Sequence, residues 1–354
     1  MKKHYIIPVF VPHRGCPHAC VFCNQSSITG QKAPVDGAAV QAAIKSWLGT
    51  IPTGADKTVE VAFYGGSFTG IPLAEQSELL APAARAIATG QIDGIRLSTR
   101  PDYIGRDILD NLLKYRVGTI ELGVQSLAAP VLAAARRGHS AAMVSAAVSL
   151  IRRYGFILGL QLMIGLPADT PAQFRETVRQ TIALQPDFVR IYPTLVLKGT
   201  ELADMYREGR YVPLTLPAAI EQAKEALGAF RRAGIPVIRV GLQPTEDIAA
   251  DAQVLAGPFH PSFRQLVESA MFRDAFAAAA REHLGAKTAD ILVNPKEETA
   301  ARGRKNGNLA WLRKNSSWEV VNLHTDAAVP LGEIRLASIG GKTSNCCYRV
   351  ADYC

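Results

Sequence analysis

Between Tyr5 and about Gln243, short apolar runs alternate with longer stretches whose apolar residues recur at helical spacing. The runs Tyr5–Val11, Val59–Tyr64, Ile95–Thr99, Thr119–Val124, Gly159–Ile164, Phe188–Tyr192 and Ile235–Val240 read as strands. Gly37–Leu48, Leu73–Thr89, Arg106–Tyr115, Ser140–Tyr154, Pro171–Leu184 and Pro217–Ala233 read as helices. Strand followed by helix, repeated this regularly, implies βα units around a parallel sheet, an α/β fold. The rhythm stops after Gln243, where a linker over 244–262 carries Gly257-Pro258-Phe259-His260-Pro261. Beyond it the pattern predicts a helix over Phe263–His283, a strand over Ala289–Val293 and a helix from Lys296. The turn Gly303-Arg304-Lys305-Asn306, a helix over Gly307–Lys314 and a strand over Trp318–Leu323 follow. We therefore expect domains over 1–243 and 263–338, with 339–354 as a tail.

Composition narrows the class without identifying a function. Of 354 residues 48% are hydrophobic and 20% charged, which fits a globular chain with a large core and argues against disorder. No uncharged apolar run reaches the length of about 18 residues that a membrane helix needs. The amino terminus carries two lysines but no cleavage pattern, and its apolar segment leads straight into a cysteine-rich stretch. The net charge of +8 is a mild polyanion signal, compatible with RNA. Six cysteines in a chain this long, three at metal-binding spacing, argue for a reducing cytoplasm and against a disulfide framework.

The stretch Gly15-Cys16-Pro17-His18-Ala19-Cys20-Val21-Phe22-Cys23 sets Cys16, Cys20 and Cys23 in the spacing C-x3-C-x2-C. Three thiolates on one tight loop hold three irons of a [4Fe–4S] cluster and leave the fourth without a protein ligand, open to chemistry. A structural zinc completed by His13 or His18 is the alternative. Zinc modules usually pair two short-spaced couples, and the remaining cysteines, Cys346, Cys347 and Cys354, lie at the far end of the chain, where they read as incidental thiols.

The spacing resembles that of the radical S-adenosylmethionine (SAM) superfamily. The resemblance implies an open partial (βα)6 barrel with its active residues at the carboxyl ends of the strands. It implies SAM chelating the open iron, and one-electron cleavage to a 5′-deoxyadenosyl radical that abstracts hydrogen from a substrate. An electron donor such as flavodoxin or ferredoxin goes with that chemistry. In the family's terms Phe22 lies by the adenine, and Gly65-Gly66-Ser67 after the second strand meets the SAM amino group. Arg137 is our choice for the SAM carboxylate, as a charge-assisted bond. Gln125 also falls to SAM and Gln161 to its ribose, while Thr99, read first as a SAM contact, and Arg100 fit either SAM or substrate. Tyr192 and Lys198 are the candidates for the substrate side. Glu121 and Gln125 also read as a buried pair that satisfies its own hydrogen bonds, and Arg136 and Arg137 as a solvated helix end.

Six motifs in order, GGSFT, STRPD, ELGVQS, RRGHS, GLP and IYPTLVLKGTELADMYREGRY, make the resemblance narrower. They are similar to the radical SAM half of the Elongator catalytic subunit family, which modifies the wobble uridine of tRNA with acetyl-CoA. Two departures stand out. Ser98 replaces that family's usual Glu. About 110 residues follow Gln243, with no Q/R-x-x-G-x-G/A pyrophosphate loop, whereas an acetyltransferase domain takes about 150. The radical core carries over; carboxymethylation does not.

Strand, helix, glycine turn, helix, strand in the carboxyl-terminal third looks like a KH module, an RNA-binding α+β domain. Gly303, Arg304, Lys305 and Asn306 then form the turn that clamps single-stranded backbone, with Asn306 in a glycine position whose left-handed conformation asparagine tolerates. Lys296, Arg302, Arg313 and Lys314 enlarge the basic patch. The expected function is radical SAM chemistry on RNA, most directly tRNA. The rivals are a coproporphyrinogen oxidase-like enzyme acting on a small molecule, and a non-enzymatic RNA-binding iron–sulfur protein.

Overall fold

The computed structural model describes residues 3–11, 20–23, 35–52, 54, 57–242 and 253–354. Cys16, His13, His18 and Gln243 lie outside them. The chain divides into two compact units, Met1–Pro213 with Pro244–Gly257, and Leu214–Gln243 with Pro258–Cys354.

In the first unit, β1 (Lys3–Phe10), β2 (Lys57–Tyr64), β3 (Gly94–Thr99), β4 (Val117–Gln125), β5 (Ile157–Ile164) and β6 (Phe188–Pro193) lie side by side in chain order. Every pairing among them is parallel, in a sheet that curls as a partial barrel. The connections carry α1 (Gly37–Leu48), α2 (Leu73–Ala88), α3 (Arg106–Lys114), α4 (Ala129–Ala134), α5 (Ala141–Arg153) and α6 (Pro171–Ala183), and α7 (Glu201–Arg207) follows β6. The βα rhythm is therefore borne out, with α4 as a short extra helix.

Local chemistry fixes these boundaries. Side chains of Asp36, Ser140, Thr170 and Thr200 accept from the first-turn amides of α1, α5, α6 and α7, satisfying donors that a helix start leaves open. Asp93 and Asp187, just before β3 and β6, accept from the amides of Val59 and Leu158 at 2.7 Å and so pin neighbouring strand starts. On one face of the sheet Ile95, Leu97, Ile120, Leu122, Leu158, Leu160, Leu162, Val189 and Ile191 are fully buried. The alternate positions carry Arg96, Ser98, Glu121, Gln125, Gln161, Arg190 and Tyr192, because successive side chains of a strand point to opposite faces.

The second unit starts earlier than the expected boundary at 243. It holds α8 (Leu216–Arg232), β7 (Val237–Val240), α9 (Phe263–Glu282), β8 (Thr288–Val293), α10 (Glu298–Arg302), α11 (Gly307–Asn315), β9 (Val320–Thr325), β10 (Glu333–Ile339), β11 (Lys342–Thr343) and β12 (Cys347–Arg349). Its sheet runs β9-β8-β10-β11, with β12 also on β10; β8 and β9 are parallel, β8 and β10 antiparallel. Helix α8 belongs here because Lys224 pairs with Asp274, and Arg231 with Glu268, both on α9. Phe230, Met271, Phe272, Phe276, Ile291, Trp318 and Leu336 form its core. The stretch 339–354, expected as a tail, is structured: β11 and β12 join the sheet, Val350 is buried, and the Tyr348 hydroxyl donates to Glu282 at 2.8 Å. Among the described residues no helix is long and apolar enough to cross a membrane.

Candidate active site at the strand ends

The site begins where β1 and β2 end together. The Val11 amide donates to Tyr64 O at 2.7 Å, and Gly65 then turns away with φ of +82°. A Cβ on Gly65 would stand 3.2 Å from Val11 O, so a glycine is required both for the backbone angle and for the close approach. Ser67 Oγ meets Thr99 Oγ1 at 2.9 Å, and Thr69 Oγ1 meets the same oxygen at 2.5 Å, a buried hydroxyl cluster joining the ends of β2 and β3.

Cys20 and Cys23 are brought together by one tight turn in which the Cys23 amide donates to Cys20 O at 3.0 Å. Between them, Val21 is buried in a cluster with Val196, Leu202, Ala203 and Tyr211, and Phe22 packs on the cluster of Val131, Ala135 and Leu166. The Val21 amide donates to Ala135 O at 3.3 Å and the Leu202 amide to Val21 O at 2.7 Å. Cys20 is buried and Cys23 half-buried.

Two guanidiniums reach the Cys20 sulfur. Arg137 Nη1 donates to it at 3.1 Å, and Arg100 Nη1 lies 3.9 Å away. Arg100 is held by Asp102, with Nε–Oδ1 and Nη2–Oδ2 both 2.9 Å, and also donates to Arg137 O. Arg137 Nη2 donates to Gly123 O at 2.5 Å, and its guanidinium lies 6.0 Å from the Phe22 ring centre. A Cβ on Gly123 would come within 3.2 Å of Gln125 Nε2 and 3.5 Å of Arg137 Nη2. The RRG turn sorts its arginines: Arg136 points outward to Glu201 at 2.6 Å while Arg137 is buried, so the solvated-end reading holds for Arg136 alone. Gln125 Oε1 and Arg137 Nε are buried without a hydrogen-bond partner. His139, bonded at Nε2 to Val124 O, has its pKa pushed down to about 4, first by burial and then by the charges of Arg137 and Arg100.

Glu121 does not pair with Gln125. It is fully buried, forms an ion pair with Arg190 (Nε to Oε2 2.6 Å), and accepts from Arg190 Nη2 at 3.0 Å, from Arg96 Nη1 at 3.2 Å, and from Gln161 Nε2 at 3.2 Å. Arg96 also pairs with Glu60 at 2.5 Å, and Glu60 with His4 at 2.7 Å. Gln161 Nε2 has Ser98 Oγ as a second partner at 3.4 Å. Tyr64 lies near this network, its hydroxyl pKa raised by burial and then by Glu121, with Arg190 and Tyr192 among its electrostatic neighbours. The strand patterns signalled the network faintly: a charged residue stands at an alternate position in each of the apolar runs IRLST, TIELGV and FVRIYP. Lys198 is exposed, just after the short strand Val196–Leu197 that pairs antiparallel with Val254–Ala256.

These residues fit the groups expected here. Two thiols and a cationic wall suit an anionic cluster, and the unpartnered Gln125 and Arg137 atoms suit a polar ligand with donors and acceptors. Cys16 lies outside the described residues, among which no three His, Cys, Asp or Glu side chains gather as metal ligands.

The second candidate surface lies within the second unit. Gly303 has φ of +69°, Lys305 +52° and Asn306 +59°, so Asn306 adopts the left-handed conformation the sequence anticipates. Arg304, Lys305 and Asn306 are exposed. Arg302 and Arg313 are engaged: they donate to Leu323 O at 3.0 Å and Val321 O at 2.8 Å, covering the edge of β9.

Comparison with known proteins gives two consecutive family matches, the Radical SAM superfamily over residues 10–181 and the Radical SAM C-terminal domain over 186–273. A tRNA uridine(34) acetyltransferase of Dehalococcoides mccartyi is 26% identical over 230 residues, 56% of this chain and 50% of that protein. Elongator complex protein 3 of Schizosaccharomyces pombe is 28% identical over 257 residues, 59% of this chain and 46% of the relative. The chain thus spans about half the length of these curated relatives, or less. Among solved structures, the archaeal Elp3 of Methanocaldococcus infernus with an N-terminal deletion shares the fold with a TM-score of 0.61 at 21% identity, covering 81% of this chain and 71% of that one.

Proposed function

We propose, on the premise that the chain belongs to the radical SAM superfamily, that it is an enzyme holding a [4Fe–4S] cluster on Cys16, Cys20 and Cys23 and modifying RNA, most directly tRNA. The observation that carries this reading is the buried Cys20 sulfur met by two guanidiniums beside the Gly65-Gly66-Ser67 turn. When bound, cluster and SAM supply one-electron cleavage of the sulfonium and hydrogen-atom abstraction. The protein's own residues bind and orient. Gly65 and Gly66 admit a ligand close to backbone, Thr99 fixes Ser67, and Gln125 and Gln161 offer amides at the strand ends. Phe22 lends an aromatic wall, and Tyr192 and Lys198 face the substrate. Thiols outside any disulfide at Cys20, Cys346, Cys347 and Cys354 suit a reducing cytoplasm.

RNA is favoured by the exposed Arg304 and Lys305 on a left-handed turn, by the net charge of +8, and by the names of the relatives, which modify tRNA uridine 34. Acetyl transfer is not part of the proposal.

Anaerobic reconstitution with SAM and dithionite should yield 5′-deoxyadenosine; none would overturn the enzymatic reading. Mass spectrometry of nucleosides in total tRNA from cells with and without the protein should differ, and an unchanged profile would remove tRNA as the substrate. Arg304→Ala with Lys305→Ala should abolish RNA turnover and spare 5′-deoxyadenosine formation; turnover left intact would point to a small molecule.

A further inference from the structure

Arg137 is an unusual buried cation. Only 6% of it is exposed, yet no carboxylate among the described residues lies within ion-pair distance of it, whereas Arg100, at 3%, has Asp102 on two atoms. A buried charge without a counter-charge is costly. Its contacts are Gly123 O, the Phe22 ring and the Cys20 sulfur, and of these the sulfur is the group able to carry negative charge.

Nη1 donates to Cys20 and Nη2 to Gly123 O, Nε is buried without a partner, and each terminal nitrogen keeps a second N–H. The backbone of Arg137 is held on both sides, its amide donating to Leu132 O at 2.9 Å and its carbonyl accepting from Arg100.

We infer that Arg137, seconded by Arg100, tunes the reduction potential of the cluster by donating a charged hydrogen bond to the Cys20 sulfur. The inference rests on the reading of the cysteine turn as a cluster site. Reduction adds one electron and one negative charge to the cluster, and a guanidinium bonded to a ligating sulfur stabilises that charge and raises the potential. Arg137 is in this sense a positioning and tuning residue, coupling the RRG turn after α4 to the ease with which the electron is accepted.

The test is an EPR-monitored potentiometric titration of the anaerobically reconstituted full chain without SAM, on wild type, Arg137→Gln and Arg137→Lys, each with iron content measured. Arg137→Gln should lower the midpoint by about 59 mV, a tenfold change in the reduction equilibrium. Arg137→Lys should lower it less, since it keeps the charge but cannot hold both the sulfur and Gly123 O. Equal midpoints in fully loaded proteins overturn the tuning role, and an unchanged midpoint with weakened SAM binding would hand Arg137 to the SAM carboxylate instead. Should Arg137→Gln take up no cluster, the lysine variant decides by the same criterion. A wild-type chain that takes up no four-iron cluster overturns the cluster reading itself, a result distinct from equal midpoints.

Discussion

Glu121 is the carboxylate that Arg190 pairs with, and of its arginine partners Arg96 has a second carboxylate among the described residues, Glu60. Removing one partner of a buried pair leaves an uncompensated charge, which costs about 3–5 kcal/mol. Glu121→Gln should therefore destabilise the protein by about 3 kcal/mol in urea unfolding, while Glu60→Gln, at a half-buried position, should cost less. His139 offers a pH signature. Its folded pKa of about 4 lies below the ordinary 6.5, so between those values the unfolded chain binds the proton and the folded one does not. Its contribution to stability is then complete above pH 6.5 and lost as pH falls toward 4. Asp169 runs the other way over nearly the same window, because burial pushes its carboxyl up to about 6, so stability falls as pH rises from 3.8 to 6. Comparing the pH dependence of unfolding for wild type, His139→Gln and Asp169→Asn separates the two: the first variant should flatten the acid-side loss, the second should deepen it. At this scale the sequence was legible where chemistry demands a residue type at fixed spacing, as at Cys20 and Cys23 or Gly65. The partners of Glu121 were not, because they sit on separate strands and meet only through strand register.

Among the elements, the strands and helices of the first unit fall within a few residues of expectation, since each is bounded by a cap, a glycine or an aspartate that announces itself locally. What local pattern could not tell was which unit owns an element. Helix α8 has the same amphipathic form as the helices before it, and its ion pairs of Lys224 and Arg231 with α9 and the burial of Phe230 assign it. The stretch 339–354 misled for a related reason: its strands are two and three residues long, too short for alternation to register, and they are stabilised by pairing with β10. The turn between α10 and α11 makes a prediction of its own. With Asn306 at φ of +59°, Asn306→Gly should fold at wild-type stability or slightly below, whereas Asn306→Val should cost about 1–2 kcal/mol, read by thermal unfolding. Gly303 tolerates less, since a Cβ there would stand 2.9 Å from Ser269 Oγ.

For the whole molecule, a net charge of +8 matters less than where the charge is free to act. Many arginines are committed inside the fold, Arg96 and Arg190 to carboxylates and Arg302 and Arg313 to carbonyls at the β9 edge. The exposed pair Arg304 and Lys305 is then the natural phosphate contact, and each charge removed should make the slope of log affinity for tRNA against log salt shallower by about 0.7. Affinity measured across salt concentrations for Arg304→Ala, Lys305→Ala and the double variant checks this, and an unaltered slope would place the RNA surface elsewhere. Besides the packing of Val21 and Phe22, the cysteine turn is tied to the end of α4 and the start of α7 by two main-chain hydrogen bonds, Val21 N–H to Ala135 O and Leu202 N–H to Val21 O. Among the coded residues proline alone removes such a donor, so neighbouring side chains are free to drift over evolutionary time while the tether persists. An ester in place of the amide at Leu202 would remove one of the two bonds and leave every side chain of the site intact.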